Sequence, residues 1–126
     1  MLWNKLSKRQ QGQQYEQLAC QYLQQHGLQL VSKNFTCKLG EIDLVMNDAD
    51  CLVFVEVKYR KNSKFGSAAE MVNHTKQQKI IKTAQLFLQK RGLSEYNTAC
   101  RFDVVSITGS ERTPEYCWHK NAFYGE

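Results

Sequence analysis

No apolar run in this chain of 126 residues approaches the ~20 residues that a membrane-spanning helix needs. The opening Met1-Leu2-Trp3-Asn4-Lys5 lacks the apolar stretch of a signal peptide. Together these absences predict a cytoplasmic protein with no membrane partner. The chain also lacks any Cys-x-x-Cys. Its five cysteines, Cys20, Cys37, Cys51, Cys100 and Cys117, are odd in number and widely spaced, and His26, His74 and His119 do not cluster with them. A zinc site or a disulfide framework is poorly supported by such spacing, and reduced, mostly buried thiols are expected. There is no internal repeat and no low-complexity linker. The length fits one domain, with residues 1–12 as a basic arm and 13–126 as the folded unit, and leaves no room for a separate substrate domain.

Apolar residues make up 42% of the chain, enough for a real core. Basic residues number 17 against 12 acidic ones, giving a net charge of +5 and a pI near 9.0. That excess suits a partner made of phosphates, although many inert domains are as basic.

Periodicity orders the elements. Tyr15, Leu18, Ala19, Tyr22 and Leu23 recur at helical spacing, predicting a helix over 13–26 closed by Gly27. Glu16 falls on the flank of that stripe, ~90° from its centre. A strand is predicted over 28–35 and a loop over 36–40. A second strand over 41–46 has Ile42, Leu44 and Met46 on one face and Glu41, Asp43 and Val45 on the other. After turn residues 47–50 comes the strongest strand, 51–60. Val53, Val55, Val57 and Tyr59 share one face, and Leu52, Phe54, Glu56, Lys58 and Arg60 share the other. Thr75 is the expected cap of a second helix reaching about 91, with Ile80, Ala84, Phe87 and Leu88 as its core stripe and Gly92 as its stop. Strands over 101–108 and from 115 to about 123 complete the order. The fold class is α/β, an open sheet with a helical crossover after the third strand.

Chemistry concentrates on the second and third strands. Glu56 and Lys58 lie on one strand face, ~7 Å apart at Cα. The pattern Glu-x-Lys alone is commonplace on solvated strands. Here the strand is rich in Val and Phe, and ionised side chains seldom enter such runs without partners. A hairpin through 47–50 brings Asp43 toward Glu56. Two carboxylates ~5 Å apart repel by about 3 kcal/mol at an effective dielectric near 20. Glu16 or Glu41 would add to this, Lys58 would offset part, and a divalent cation much more. Oxygen ligands with few nitrogens or sulfurs favour Mg²⁺ or Mn²⁺ over zinc. Carboxylates, a metal and an adjacent lysine are equipment for phosphodiester hydrolysis.

The string Gly40-Glu41-Ile42-Asp43-Leu44-Val45, followed by Phe54-Val55-Glu56-Val57-Lys58-Tyr59-Arg60, resembles the YraN family of small bacterial proteins. So do Arg101-Phe102-Asp103-Val104-Val105 and Asn121-Ala122-Phe123. The likeness runs from about Gly12 over nearly the whole chain. That family in turn resembles the restriction-endonuclease-like PD-(D/E)XK superfamily, including archaeal Holliday-junction resolvases. The resemblance implies an α-β-β-β-α-β core with a mixed central sheet flanked by helices. It implies that Asp43, Glu56 and the backbone carbonyl of Val57 hold the metal, that Lys58 serves the attacking water, and that Glu16 reaches the site from the first helix. It also makes Lys76 a candidate for contact with the nucleic-acid backbone. Ile42 stands where the superfamily's name has proline.

Other residues stay open at this point. Glu41 is a metal ligand, a supporting group or a loop-end charge. Arg60, Lys61 and Lys64 either grip phosphates or form a solvated basic loop. Arg101 and Asp103 are expected to pair structurally, and Tyr116, Trp118 and Phe123 to pack rather than stack on bases. No case exists for a catalytic thiol at Cys51. The expected activity is metal-dependent endonucleolytic cleavage of DNA, branched DNA included, with homodimerisation as an option. The alternatives are a nucleic-acid-binding module that has lost catalysis, and a scaffold whose acids bind metal only structurally.

Overall fold

The computed structural model describes residues 7–60, 72–110 and 112–124. Helix α1 (Lys8–Gln25) leads into strands β1 (Gln29–Cys37), β2 (Gly40–Asp48) and β3 (Cys51–Tyr59). Helix α2 (His74–Lys90) then precedes β4 (Cys100–Gly109) and β5 (Pro114–Phe123). The strands form one sheet in the order β1-β2-β3-β4-β5, antiparallel except for the parallel β3–β4 pair. This is the expected α/β order with a mixed sheet, consistent with a restriction-endonuclease-like core. Among the described residues no helix is long and apolar enough to cross a membrane.

The two sheet faces are covered by different helices. Ala19, Cys20 and Leu23 of α1 pack on Leu44, Met46, Val53, Val55, Val105 and Ile107. On the other face Ile80, Ile81, Ala84, Phe87 and Leu88 of α2 pack on Val45, Phe54, Phe102 and Val104. The β3 alternation follows the period of two: Val53 and Val55 face α1 while Phe54 faces α2. β3 is central and loses water on both faces, so its β-branched and aromatic content is what holds it there.

The expected loop over 36–40 shrinks to a turn at 38–39, because β1 runs to Cys37 and β2 starts at Gly40, and three further details depart from the sequence reading. α1 starts at Lys8 rather than near 13, so residues 8–12 are helical. Ser7 accepts from the backbone N–H of Gln10, whose side chain accepts the N–H of Ser7 in return. This polar capping box has no apolar stripe to advertise it. α2 is capped by Asn73, whose side chain accepts the Lys76 N–H, and Thr75 lies inside the first turn. Ile42 does not share a face with Leu44 and Met46, because it joins Val45 in the α2-side core. Opposite this stretch Asn34 of β1 is left-handed (φ 52°), flanked by the pairs Lys33–Leu44 and Phe35–Ile42.

Candidate functional site

β2 and β3 pair from Asp48–Cys51 only as far as Leu44–Val55. Beyond that point Val57 donates its backbone N–H to Asp43 Oδ2 at 2.9 Å. The side chain of Asp43 thus stands at the end of the ladder, tied to the strand that carries Glu56 and Lys58.

Glu56 is a core residue, 4% exposed. Its Oε2 lies 3.5 Å from Lys76 Nζ at the start of α2. Its Oε1 is buried with no hydrogen-bond partner among the described residues. Lys58, two residues on, is half-buried. On the α1 side, oxygens of Glu16, Glu41 and Asp43 all lie within 4.8 Å of one another. Asp43 therefore belongs to two groupings: the carboxylate trio with Glu16 and Glu41, and the β3 group with Glu56 and Lys58. The expected ligands Asp43 and Glu56 are neighbours, but the tightest carboxylate set is the trio, and Glu56 is turned to Lys76. Glu41, left open above, is the trio's exposed member.

The electrostatics follow from this crowding. Burial first, then the charge of Asp43, pushes Glu56 up to about 8, against the smaller pull of Lys76 and Lys58. Glu16 rises to about 7, again from burial, then from the charge of Asp43 and a carboxyl–carboxylate hydrogen bond with it. Burial also raises Asp43, although the Val57 N–H works against the rise. Lys58 is lowered, first by burial and then by Lys76. Lys76 is raised: burial pulls it down, but its bond to Lys58 and the charges of Glu56 and Asp43 prevail.

A divalent cation fits these donors. They are hard oxygens, mutually repelling, and one of them is a buried oxygen without a partner, which is what Mg²⁺ or Mn²⁺ chemistry asks for.

Two anchoring devices were not read from the sequence. Tyr15 stacks on Tyr59 with ring centroids 4.2 Å apart, pinning the turn of α1 that carries Glu16 to the end of β3. Asn34 bonds to Glu16 and, with Thr36, lines a groove of about 550 Å³ shared with Arg9, Glu16 and Glu41. An asparagine inside a strand, a position that type disfavours, was the available signal.

Other candidates fall elsewhere. Arg60 follows β3 and bonds through its backbone N–H to Ile107. Lys61 and Lys64 lie outside the described residues. Arg101 pairs with Asp103 and Asp48, away from the acids of the site. Tyr116 stacks on Tyr22 and Phe123 on Phe102, so these aromatics pack the structure. All five cysteines are free, and burial raises the Cys51 thiol. A mixed cavity of about 170 Å³ lies between α2 and β4–β5, lined by Phe54, Leu88 and Phe102 and by Gln85, Glu95 and Arg101, and holds none of the acids of the site.

The chain matches the model of the uncharacterised protein family UPF0102 over residues 15–107. It is 58% identical to a UPF0102 protein of Photobacterium profundum, with 88% of this chain and 89% of the relative covered. A UPF0102 protein of Vibrio campbellii is 54% identical, covering 92% and 93%. One from Colwellia psychrerythraea is 45% identical over 98% of this chain and all of the relative (100%).

Proposed function

The chain belongs to the uncharacterised protein family UPF0102, and from that footing we propose that it is a metal-dependent nuclease that hydrolyses phosphodiester bonds in DNA. The observation that carries the reading is the meeting of Asp43, Glu56 and Lys58 where β2 and β3 part, with a buried carboxylate oxygen left unpaired. A fold gains no stability from such a cluster unless a ligand satisfies it.

Asp43 and Glu56 would hold Mg²⁺ or Mn²⁺, with the Val57 carbonyl beside them and Glu16 and Glu41 completing the acidic wall. The ion would polarise the phosphate and make a bound water more acidic. Lys58 is suited to orient that water and take its proton, because burial and Lys76 ease its loss of charge.

A polyanionic partner is supported by α2. It carries Lys76, Lys79, Lys82 and Lys90 and no acidic residue. Lys79 and Lys82 line a groove of about 500 Å³ with Lys38 of the β1–β2 turn. Such a face attracts phosphates without reading bases. Resemblance to junction resolvases makes branched DNA the first substrate to try.

In the test, labelled DNA is incubated with Mg²⁺ and either wild type or Glu56→Ala. Cleavage should fall by at least about a hundredfold in the variant, while DNA affinity holds or rises as a negative charge is removed. Equal cleavage by both proteins would assign the activity to a contaminant. Binding without cleavage would leave a DNA-binding module of the same fold.

A further inference from the structure

Lys76 stands where helix physics argues against a lysine. With Asn73 as the cap of α2, Lys76 is the third residue of the first turn. The helix dipole there favours acidic side chains, and a capping box would place Glu or Gln at this position. α2 has no acidic residue in that turn. A residue that breaks the local rule needs a gain elsewhere, and the gain is the contact with Glu56.

The two partners are unequal. The Glu56 side chain is 5% exposed and that of Lys76 is 43% exposed. Glu56 is fixed in the core on β3, whereas the Lys76 side chain reaches in from the rim on a long flexible stem. It meets only one of the two carboxylate oxygens, and the other stays without a hydrogen-bond partner. An ammonium group at one oxygen satisfies Glu56 partly and holds it loosely. A divalent cation at the same carboxylate carries twice the charge and repels the ammonium.

We propose that Lys76 is a resident cation that competes with the divalent metal for Glu56, holding the one engaged carboxyl oxygen until the metal takes its place and releases the lysine toward solvent. The proposal rests on the metal-site reading above. It has a consequence for substrate. The released ammonium sits beside the site with no acidic neighbour in its own turn, free to take a phosphate of the nucleic acid. Metal and phosphate then favour each other's binding, and by linkage the coupling is reciprocal.

The test is Mn²⁺ binding, followed by calorimetry and by electron paramagnetic resonance, in wild type, Lys76→Met, Lys76→Gln and Lys76→Arg. The Met and Gln variants should bind Mn²⁺ about tenfold more tightly, the size expected from removing one competing charge. Lys76→Arg should stay within about threefold of wild type because it keeps the charge. Thermal unfolding in EDTA gives a second readout. The Met variant should melt below wild type and gain more from added Mn²⁺. Unchanged or weaker Mn²⁺ binding in both neutral variants overturns the proposal. If it is unchanged while Glu56→Gln abolishes binding, the metal site stands and only the competition falls. If no variant binds Mn²⁺, both readings fall.

Discussion

Asp103 and Glu56 are both buried carboxylates, and their surroundings separate a fully satisfied acid from a half-partnered one. Asp103 is 0% exposed, and both its oxygens are engaged. Arg101 Nε donates at 3.2 Å to each, Trp118 Nε1 at 2.9 Å to Oδ2, and the Asn121 N–H at 3.0 Å to Oδ1. Arg101 also pairs with Asp48 at 2.9 Å. This network ties β4 to β5 at a shift in their register between Phe102 and Val104. Asp103→Ala should cost about 3–5 kcal/mol, since it leaves the mostly buried Arg101 guanidinium with Asp48 alone and strips the Trp118 indole and Asn121 backbone N–H of their acceptor. Urea unfolding checks this, and a loss below about 1 kcal/mol would contradict it. Glu56 has the opposite character, with one oxygen unpartnered and the other held by a half-exposed lysine. In the sequence, Arg101-x-Asp103 and Glu56-x-Lys58 are similar two-residue spacings on apolar strands. The expected pairing of Arg101 with Asp103 is present, but patterning could not show how completely each acid is satisfied, because the deciding partners, Trp118 and Lys76, lie on other elements.

The elements were legible where apolar residues recur at a regular period or in a continuous run. The strict alternation of β3 and the stripe of Ile80, Ala84, Phe87 and Leu88 in α2 both appear as read. What escaped is irregular. The β1–β2 register shifts between Leu30 and Ser32, Asn34 is left-handed, and Ile42 joins the core on the opposite face from Leu44 and Met46. A period of two carries no mark of an inserted or left-handed residue. Asn34 and Ile42 lie at the same end of β2 as Asp43, where the strand leaves β3, whereas the Leu30–Ser32 shift lies opposite Val45 and Met46, which still pair with β3. The β2–β3 hairpin raises the same issue at its turn, where Ala49 has φ 55°. An alanine there is strained in a position that glycine or asparagine occupies freely. Ala49→Gly should therefore stabilise the protein by about 0.5–1 kcal/mol, read as a higher thermal midpoint. A lower midpoint would show that the turn tolerates its alanine and that glycine only loosens the unfolded chain.

At the scale of the whole molecule, the acidic cluster sets how stability depends on pH. Glu56 rises from 4.5 to about 8 and Glu16 from 4.5 to about 7 on folding. The folded protein thus keeps protons that the unfolded chain releases. Stability without metal should fall as pH rises from about 4.5 to about 8 and level off above. On the proposed metal-site reading, Mg²⁺ or Mn²⁺ would bind the ionised form and restore the loss, most strongly near pH 8. Melting curves at several pH values, with EDTA or with metal, check both halves. A stability that rises with pH in EDTA, or no metal effect at pH 8, would contradict the account.

Whether the proposed cluster cuts DNA is decided by a cleavage panel. Wild type and Lys58→Ala are incubated with linear, single-stranded, flapped and four-way DNA, in Mg²⁺, Mn²⁺ or EDTA. The account predicts cutting of at least one substrate in Mg²⁺ or Mn²⁺, abolished by EDTA and by loss of Lys58. Cutting that persists in EDTA or in Lys58→Ala, or no cutting of any substrate by wild type, would contradict it.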